Sequence, residues 1–466
     1  MTTASSTAEP GYRVLNPATG EVLETFPTAT DVEIESAVAA ATAAYASWKD
    51  TPITERAKVV ARVAELFTER ADELAKIITT EMGKPLSQSK GEAEFCTDIF
   101  NYFATEGPSL AADQEIKTFS GGRAVVQRLP IGPLLGIMPW NYPYYQVARF
   151  AAPNLMLGNT VILKHAENCP RSALAIQQIM DDAGVPAGAY VNVFASHAQI
   201  AALIADPRIQ GVSLTGSERA GAIIGELAGK NLKKAVLELG GSDPYVILDA
   251  EDISDAAATA WATRMENTGQ ACNSNKRMIV LEDVFDGFVA ELTARARDLT
   301  PGDPSVEADG TFAPLSSRAA AESLAAQVAD AVEKGATLHA GGELADGPAA
   351  YFSPAVLTGV TPEMRAYREE LFGPVAVVYK AKDDDEALRL ANDTPYGLGG
   401  AVFSTDPERA ARVASRLEVG MSNVNIPAAE GAEMPFGGVK RSGFGRELGP
   451  LGMDEFVNKR LFFVAD

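Results

Sequence analysis

Apolar positions along the chain change period twice. Residues 11–30 carry short β-like runs broken by Asn16-Pro17 and Thr19-Gly20, which predicts brief strands joined by turns. From residue 31 to about 84 the spacing turns helical. Ile34, Ala37, Val38 and Ala41 recur three and four apart after Asp31, a residue able to cap. A second helix is predicted over residues 54–67, with Val59, Val60, Val63 and Leu66 on one face. A third covers 71–82 and stops at Gly83-Lys84-Pro85, and a fourth covers 88–112. All four read as scaffold. Residues 121–129 predict an extended β arm, a polar, isolated strand suited to pairing with another segment or another subunit.

From Gly136 strands and helices alternate. Strands are predicted at 134–137, 160–164, 190–194, 211–214 and 235–239, with helices at 170–183, 198–205 and 218–229. The pattern then restarts, with strands at 245–248 and 278–281, helices from 253, at 284–298 and at 314–334, and further alternation over 368–425. Successive β-α-β units imply doubly wound parallel sheets, whose ligands lie at the carboxyl ends of the strands. The class is α/β, with a second α/β domain starting near Gly240.

A chain of 466 residues exceeds one ordinary core, which agrees with that division. Forty basic against sixty-two acidic residues give a net charge of −22, which argues against a broad nucleic-acid or anionic-membrane surface. Three cysteines, none in a CxxC pair, and three histidines make no metal cage, and so sparse a count fits a reducing compartment. Residues 1–10 lack a basic start and an apolar core, so they read as a frayed tail rather than a signal peptide. No uncharged apolar run reaches the ~20 residues a membrane helix needs. The expected location is the cytoplasm.

The chemistry centres on Asn267-Thr268-Gly269-Gln270-Ala271-Cys272, downstream of Glu238-Leu239-Gly240-Gly241. Cys272 follows a helical stretch that ends at Gly269 and precedes the run at 278–280. A thiol at such a turn is presented to a cleft, and its small, polar neighbours are poor core material. A carboxylate at Glu238 completes a nucleophile and base. Thr215-Gly216-Ser217 opens a helix after a strand and forms either an anion seat for a pyrophosphate or a plain strand–helix turn. Lys164 and Glu167, just past a strand end, fit either a ribose or an exposed salt-bridged turn. Asn141, between Trp140 and Tyr142-Pro143, is either an oxyanion donor or a satisfied turn residue. The glycine-rich run 435–447 must be a loop with close backbone approaches.

Together these segments resemble the aldehyde dehydrogenase superfamily. Pro139-Trp140-Asn141-Tyr142-Pro143, Thr215-Gly216-Ser217, Glu238 to Gly241, Asn267 to Cys272, Glu370-Leu371-Phe372-Gly373-Pro374 and Pro435 to Lys440 occur in its order and spacing. The residues 140–149 and Leu163-Lys164-His165 look most like bacterial succinate-semialdehyde dehydrogenases. The resemblance implies a Rossmann-like cofactor domain (1–120 and 131–239), an α/β catalytic domain (240–440) and a β oligomerisation arm (121–130 and 441–466) that builds a homodimer or homotetramer. It also implies roles. Cys272 attacks an aldehyde, Asn141 and the Cys272 N–H hold the oxyanion, and Glu238 activates the water that hydrolyses a thioester. Lys164, Glu167 and Glu370 would hold the two riboses of a nicotinamide dinucleotide. Trp140, Thr215, Gly216, Ser217, Leu239 and Phe372 complete the implied cofactor site.

Glu167 would face the adenosine ribose, where a 2′-phosphate meets a like charge at a cost on the order of several kcal/mol. This predicts NAD over NADP, with NADP use left open by Lys164 and the reach of a long glutamate. For the substrate, Arg149 matches an arginine that takes a distal carboxylate in the succinate-semialdehyde enzymes. Glu266 stands where many of them place a second arginine, and Glu430 about where they place a serine. These two carboxylates either repel a substrate carboxylate, neutralise Arg149, or point to solvent. Succinic semialdehyde leads, with a neutral or amino aldehyde as the alternative. Ser274 replaces a cysteine that some relatives carry two residues past the nucleophile, so no local disulfide is available to Cys272. Two other classes compete: an esterase using the same thiolate, and a non-catalytic binding homologue. The second has no need of Cys272, Glu238 and Asn141 together.

Overall fold

The restart of the strand–helix pattern near Gly240 corresponds to a second sheet. In the computed structural model, which describes residues 11–119 and 121–466, the first sheet has six strands. Their order is Gly443–Phe444, Lys234–Glu238, Gly211–Thr215, Pro133–Met138, Thr160–His165 and Tyr190–Asn192. All neighbours run parallel except Gly443–Phe444. The chain therefore leaves Pro133–Met138 to one side, then returns to build on the other. That reversal is the switch point at which doubly wound sheets hold ligands. The frayed tail expected at residues 1–10 lies outside the described residues.

The second sheet has seven strands, ordered Thr337–Ala340, Ala355–Thr358, Val375–Ala381, Arg277–Leu281, Pro244–Ile247, Gly399–Phe403 and Met421–Val424. Only Thr337–Ala340 is antiparallel. Every residue of Arg277–Leu281 and Pro244–Ile247 is buried, as expected of parallel strands covered by helices on both faces. A third, antiparallel sheet joins Val457–Val464, Arg123–Pro130 and Gln114–Ile116. The segment 441–466 thus divides between the first sheet and this arm.

The amphipathic helices form close to their sequence patterns, as Asp31–Trp48, Ile53–Glu69, Ala71–Met82 and Leu86–Leu110. The first is capped by Thr30 rather than Asp31. The Thr30 hydroxyl accepts from the Glu33 N–H and the Glu33 carboxylate accepts from the Thr30 N–H at 2.7 Å, a capping box. One helix gave no periodic signal. Tyr145–Leu157 is buried at every position from Gln146 to Leu157, so it has no polar face to mark its period, and Pro153 interrupts its pattern. It starts just past the Trp140–Asn141 turn and sets Arg149 into the interior.

Candidate active site

The Cys272 loop is shaped by backbone that few residues adopt. After the helix Ile253–Met265 the chain turns through Asn267 (φ 47°), Thr268 (φ 54°) and Gly269 (φ 73°). A β-branched residue in the left-handed region is strained, so the surroundings must impose this turn. They do so through buried bonds. Asn267 Nδ2 donates to Asn141 O at 2.8 Å, Gln270 Nε2 to Asn267 O at 3.1 Å, and Ser316 N to Gln270 Oε1 at 2.9 Å. Arg264, fully buried, donates to Gly269 O, Ser274 Oγ, Leu371 O and Val375 O. Gly269 has to be glycine, because a Cβ there would lie 2.3 Å from Gly373 O.

The two sheets meet at this loop. A Cβ on Gly241 would stand 2.3 Å from Cys272 O, so glycine lets the end of strand Lys234–Glu238 run against the thiol's own peptide. Cys272 is partly exposed on a cavity of about 840 Å³, whereas Cys96 and Cys169 are buried. Burial pushes the Cys272 thiol up to about 12; Arg149 and Lys276 pull it down, while Glu370 and Glu238 push it higher. Asn141 Nδ2 donates to Gln270 O at 2.9 Å and Gln146 Nε2 donates to Asn141 Oδ1 at 2.9 Å. The amide's second N–H, like the backbone N–H of Cys272, has no acceptor among the described residues. Two N–H donors, one on Cys272 itself and one on a side chain bound to its loop, are thus left free, as an oxyanion hole would need.

Beneath the cavity lies a charge cluster that the motifs did not reveal. Arg149 Nε lies 2.8 Å from Glu447 Oε2, with both side chains buried. Its guanidinium stacks over Tyr145 and Phe436 at 4.6 and 4.4 Å, and one nitrogen reaches Thr215 Oγ1 at 3.5 Å. Glu238 is 2% exposed and neither carboxylate oxygen has a hydrogen-bond partner among the described residues. Burial raises Glu238 well above the carboxylate range, Glu447 raises it further, and Arg149 opposes both. Of the two acids Glu447 has the cation beside it, and Glu238 is the more strongly raised.

The residues expected to face a cofactor lie at and around the switch point. Ser217 Oγ accepts from Ala220 N at 3.3 Å and caps Glu218–Lys230, leaving the N–H groups of Glu218 and Arg219 open to an anion. Gly216 N donates to Glu238 O at 2.9 Å, Leu239 is buried, and Trp140 meets Phe372 edge-on at 5.7 Å. Glu370 Oε1 accepts from Gly241 N at 3.0 Å. Lys164 hydrogen-bonds to Glu167, and His197 lies 3.8 Å from the same carboxylate oxygen. Open helix N–H groups, a Lys–Glu pair and a second glutamate across the cleft fit a dinucleotide with two riboses and a pyrophosphate.

At the cavity mouth Tyr142 donates to Glu266 Oε1 at 3.1 Å, and both Glu266 and Glu430 are exposed. Burial of its carboxyl and the nearby Glu266 raise Glu430. Lys84 is buried behind them, 3.6 Å above the Tyr142 ring and paired with Glu92.

A model of the aldehyde dehydrogenase family matches residues 3–461. The chain belongs to the aldehyde dehydrogenase family. It is 54% identical to the succinate-semialdehyde dehydrogenase [NADP(+)] of Deinococcus radiodurans, over 98% of this chain and 96% of that one. It is 40% identical to the enzyme of the same name from Mycolicibacterium paratuberculosis, over 97% and 96%. The crystal structure of succinic semialdehyde dehydrogenase from Streptococcus pyogenes in complex with NADP+ superposes with a TM-score of 0.94, at 40% identity over 98% of this chain and 100% of that one. As a member of the family, this aldehyde dehydrogenase oxidises a small aldehyde to its acid.

The expected preference for NAD is overturned. Relatives this similar are named for NADP(+), and one is solved with NADP+ bound. The physical reason lies at Glu167. Although burial raises that carboxyl, Lys164 more than offsets the effect and holds it below its ordinary value. The carboxylate is thus balanced by a neighbouring ammonium, so a 2′-phosphate placed there would meet an ion pair rather than a lone negative charge.

Glu447 ends the glycine-rich run 435–447, and neither it nor Lys276 or Arg264 belongs to a motif that points to a role. A basic pair, Lys276-Arg277, at the start of an otherwise apolar strand was the available signal.

Among the described residues no helix is long and apolar enough to cross a membrane.

Proposed function

We propose that this aldehyde dehydrogenase oxidises succinic semialdehyde to succinate with NADP as the hydride acceptor. The observation that carries the proposal is 54% identity, over nearly the whole chain, to a relative of that name. Cys272 Sγ attacks the aldehyde carbon, and the oxyanion is held by the Asn141 amide and the Cys272 N–H. When bound, the nicotinamide ring supplies the hydride acceptor. Loss of hydride leaves an acyl thioester on Cys272. Glu238, deprotonated, takes a proton from the water that attacks this thioester, and the acid leaves as the thiol reforms. Lys164, Glu167 and Glu370 hold the riboses, with Thr215, Gly216, Ser217, Leu239, Trp140 and Phe372 around them. Arg149 lines the cavity and supplies positive charge towards the substrate end, shared with Glu447.

A second reading has one observation in its favour. Glu266 and Glu430 put two carboxylates at the mouth, which suits a neutral or amine-bearing aldehyde. Initial rates with succinic semialdehyde, butanal and 4-aminobutanal, each with NADP and NAD, separate the two. The expected result is the highest kcat/KM for succinic semialdehyde with NADP. A higher value for the amine overturns the substrate assignment.

The arm supports a homodimer or homotetramer, since its outer strand exposes Leu461, Phe462, Phe463 and Val464. Three cysteines without a disulfide suit the cytoplasm.

A further inference from the structure

Lys276 stands four residues past Cys272 and its side chain is 1% exposed. Burying an ammonium is costly unless its donors are all used. Here Nζ lies 2.5 Å from Ala271 O, 2.8 Å from Cys272 O and 3.1 Å from Glu370 Oε1. It also sits 5.7 Å from the Phe372 ring. One cation thus grips the two carbonyls that flank the Cys272 peptide N–H and ties them to the loop carrying Glu370. The same Glu370 oxygen accepts from Gly241 N at 3.0 Å, and Gly241 abuts Cys272 O.

We propose that Lys276 is a positioning residue for Cys272, fixing the thiol's peptide and supplying the positive charge that favours its thiolate, with Glu370 as the opposing charge. The inference rests on Cys272 being the nucleophile. Four charged groups act on that thiol: Arg149 and Lys276 favour the thiolate, Glu370 and Glu238 disfavour it. Arg149 is already committed to Glu447, whereas Lys276 contacts the Cys272 carbonyl itself. Asp243 also feels Lys276: burial pushes its carboxyl up to about 7 against the pull of that ammonium. The pair Lys276–Glu370 therefore sets the thiol with opposite signs from one place, and Glu370 is the residue assigned to a ribose.

The test is the rate of Cys272 alkylation by iodoacetamide against pH in the full-length enzyme without added dinucleotide, with the labelled peptide assigned by mass. K276M is expected to move the midpoint upward and to slow alkylation at pH 8 by about tenfold, the effect of one pKa unit. K276R, which keeps the charge, is expected to restore most of the rate. E370Q is expected to move the midpoint downward and speed alkylation. A purely structural role for Lys276 would give K276M the wild-type midpoint, and that result overturns the proposal. Should K276M fail to fold, E370Q decides alone: an unchanged or raised midpoint overturns it. Label on Cys96 or Cys169 in place of Cys272 would instead defeat the nucleophile assignment, a failure told apart by where the label lands rather than how fast.

Discussion

The floor and the mouth of the cavity each carry two glutamates, yet they work in different ways. At the floor, Glu238 and Glu447 are buried around one guanidinium, so every proton and every partner counts. At the mouth, Glu266 accepts from the Tyr142 hydroxyl. It and Glu430 belong to solvent-exposed residues that water screens more than the floor pair, although the Glu430 carboxyl is itself partly buried. The same side chain therefore sets protonation and stability in one place and the approach of substrate in the other. Burial, rather than residue type, assigns the role.

The comparison breaks most sharply at Glu238. Glu238→Gln should lower kcat by roughly 10²–10⁴, the range for a positioned general base, while leaving acylation of Cys272 intact in a single-turnover measurement. The pH dependence follows from the same group. Its raised pKa means the base form appears only above the ordinary carboxylate range, so kcat should rise with pH through that titration. In Glu238→Gln the rise should vanish from the profile. A wild-type profile already flat from pH 5 would contradict the floor's electrostatics.

Next in size is the ion pair. Arg149→Met strands Glu447 without its cation and should cost about 3–5 kcal/mol in urea unfolding, as removal of one partner from a buried pair does. Removing Glu447 as well, in R149M/E447L, should recover much of that loss. An R149M variant of full stability would show that the floor is wetter than its burial implies.

The smallest effects belong to the mouth. Glu266→Gln and Glu430→Gln should each lower KM for succinic semialdehyde by about two- to fivefold and raise it for 4-aminobutanal. Both changes should shrink at high salt, because exposed charges act through screened fields. A tenfold loss of stability or kcat from either would place these residues with the floor.

Much of the architecture was legible from the chain because period and position agree. Val60, Val63 and Leu66 mark a helix face that is buried, with Val59 at its margin, and the run 278–281 marks a central parallel strand. Tyr145–Leu157 was not legible, since a helix buried all round has no polar stripe to read. Cys272 stood out because small, polar residues precede it, Asn141 because it sits in a rigid Trp140 and Tyr142-Pro143 turn, and Glu238 because a charge ends an apolar strand before Gly240-Gly241. Glu447, Lys276 and Arg264 did not, because their partners lie far away in sequence or on backbone carbonyls. Glu167 was misjudged for a related reason: the sequence places Lys164 three residues away without showing that the two charges touch.

The most direct test of the account is to trap its intermediate. Glu238→Gln mixed with succinic semialdehyde and NADP, quenched in acid, digested and weighed, should carry the succinyl group as a hydroxylamine-sensitive thioester on the peptide containing Cys272. Aldehyde consumed with no adduct on Cys272, or an adduct on another residue, would contradict it.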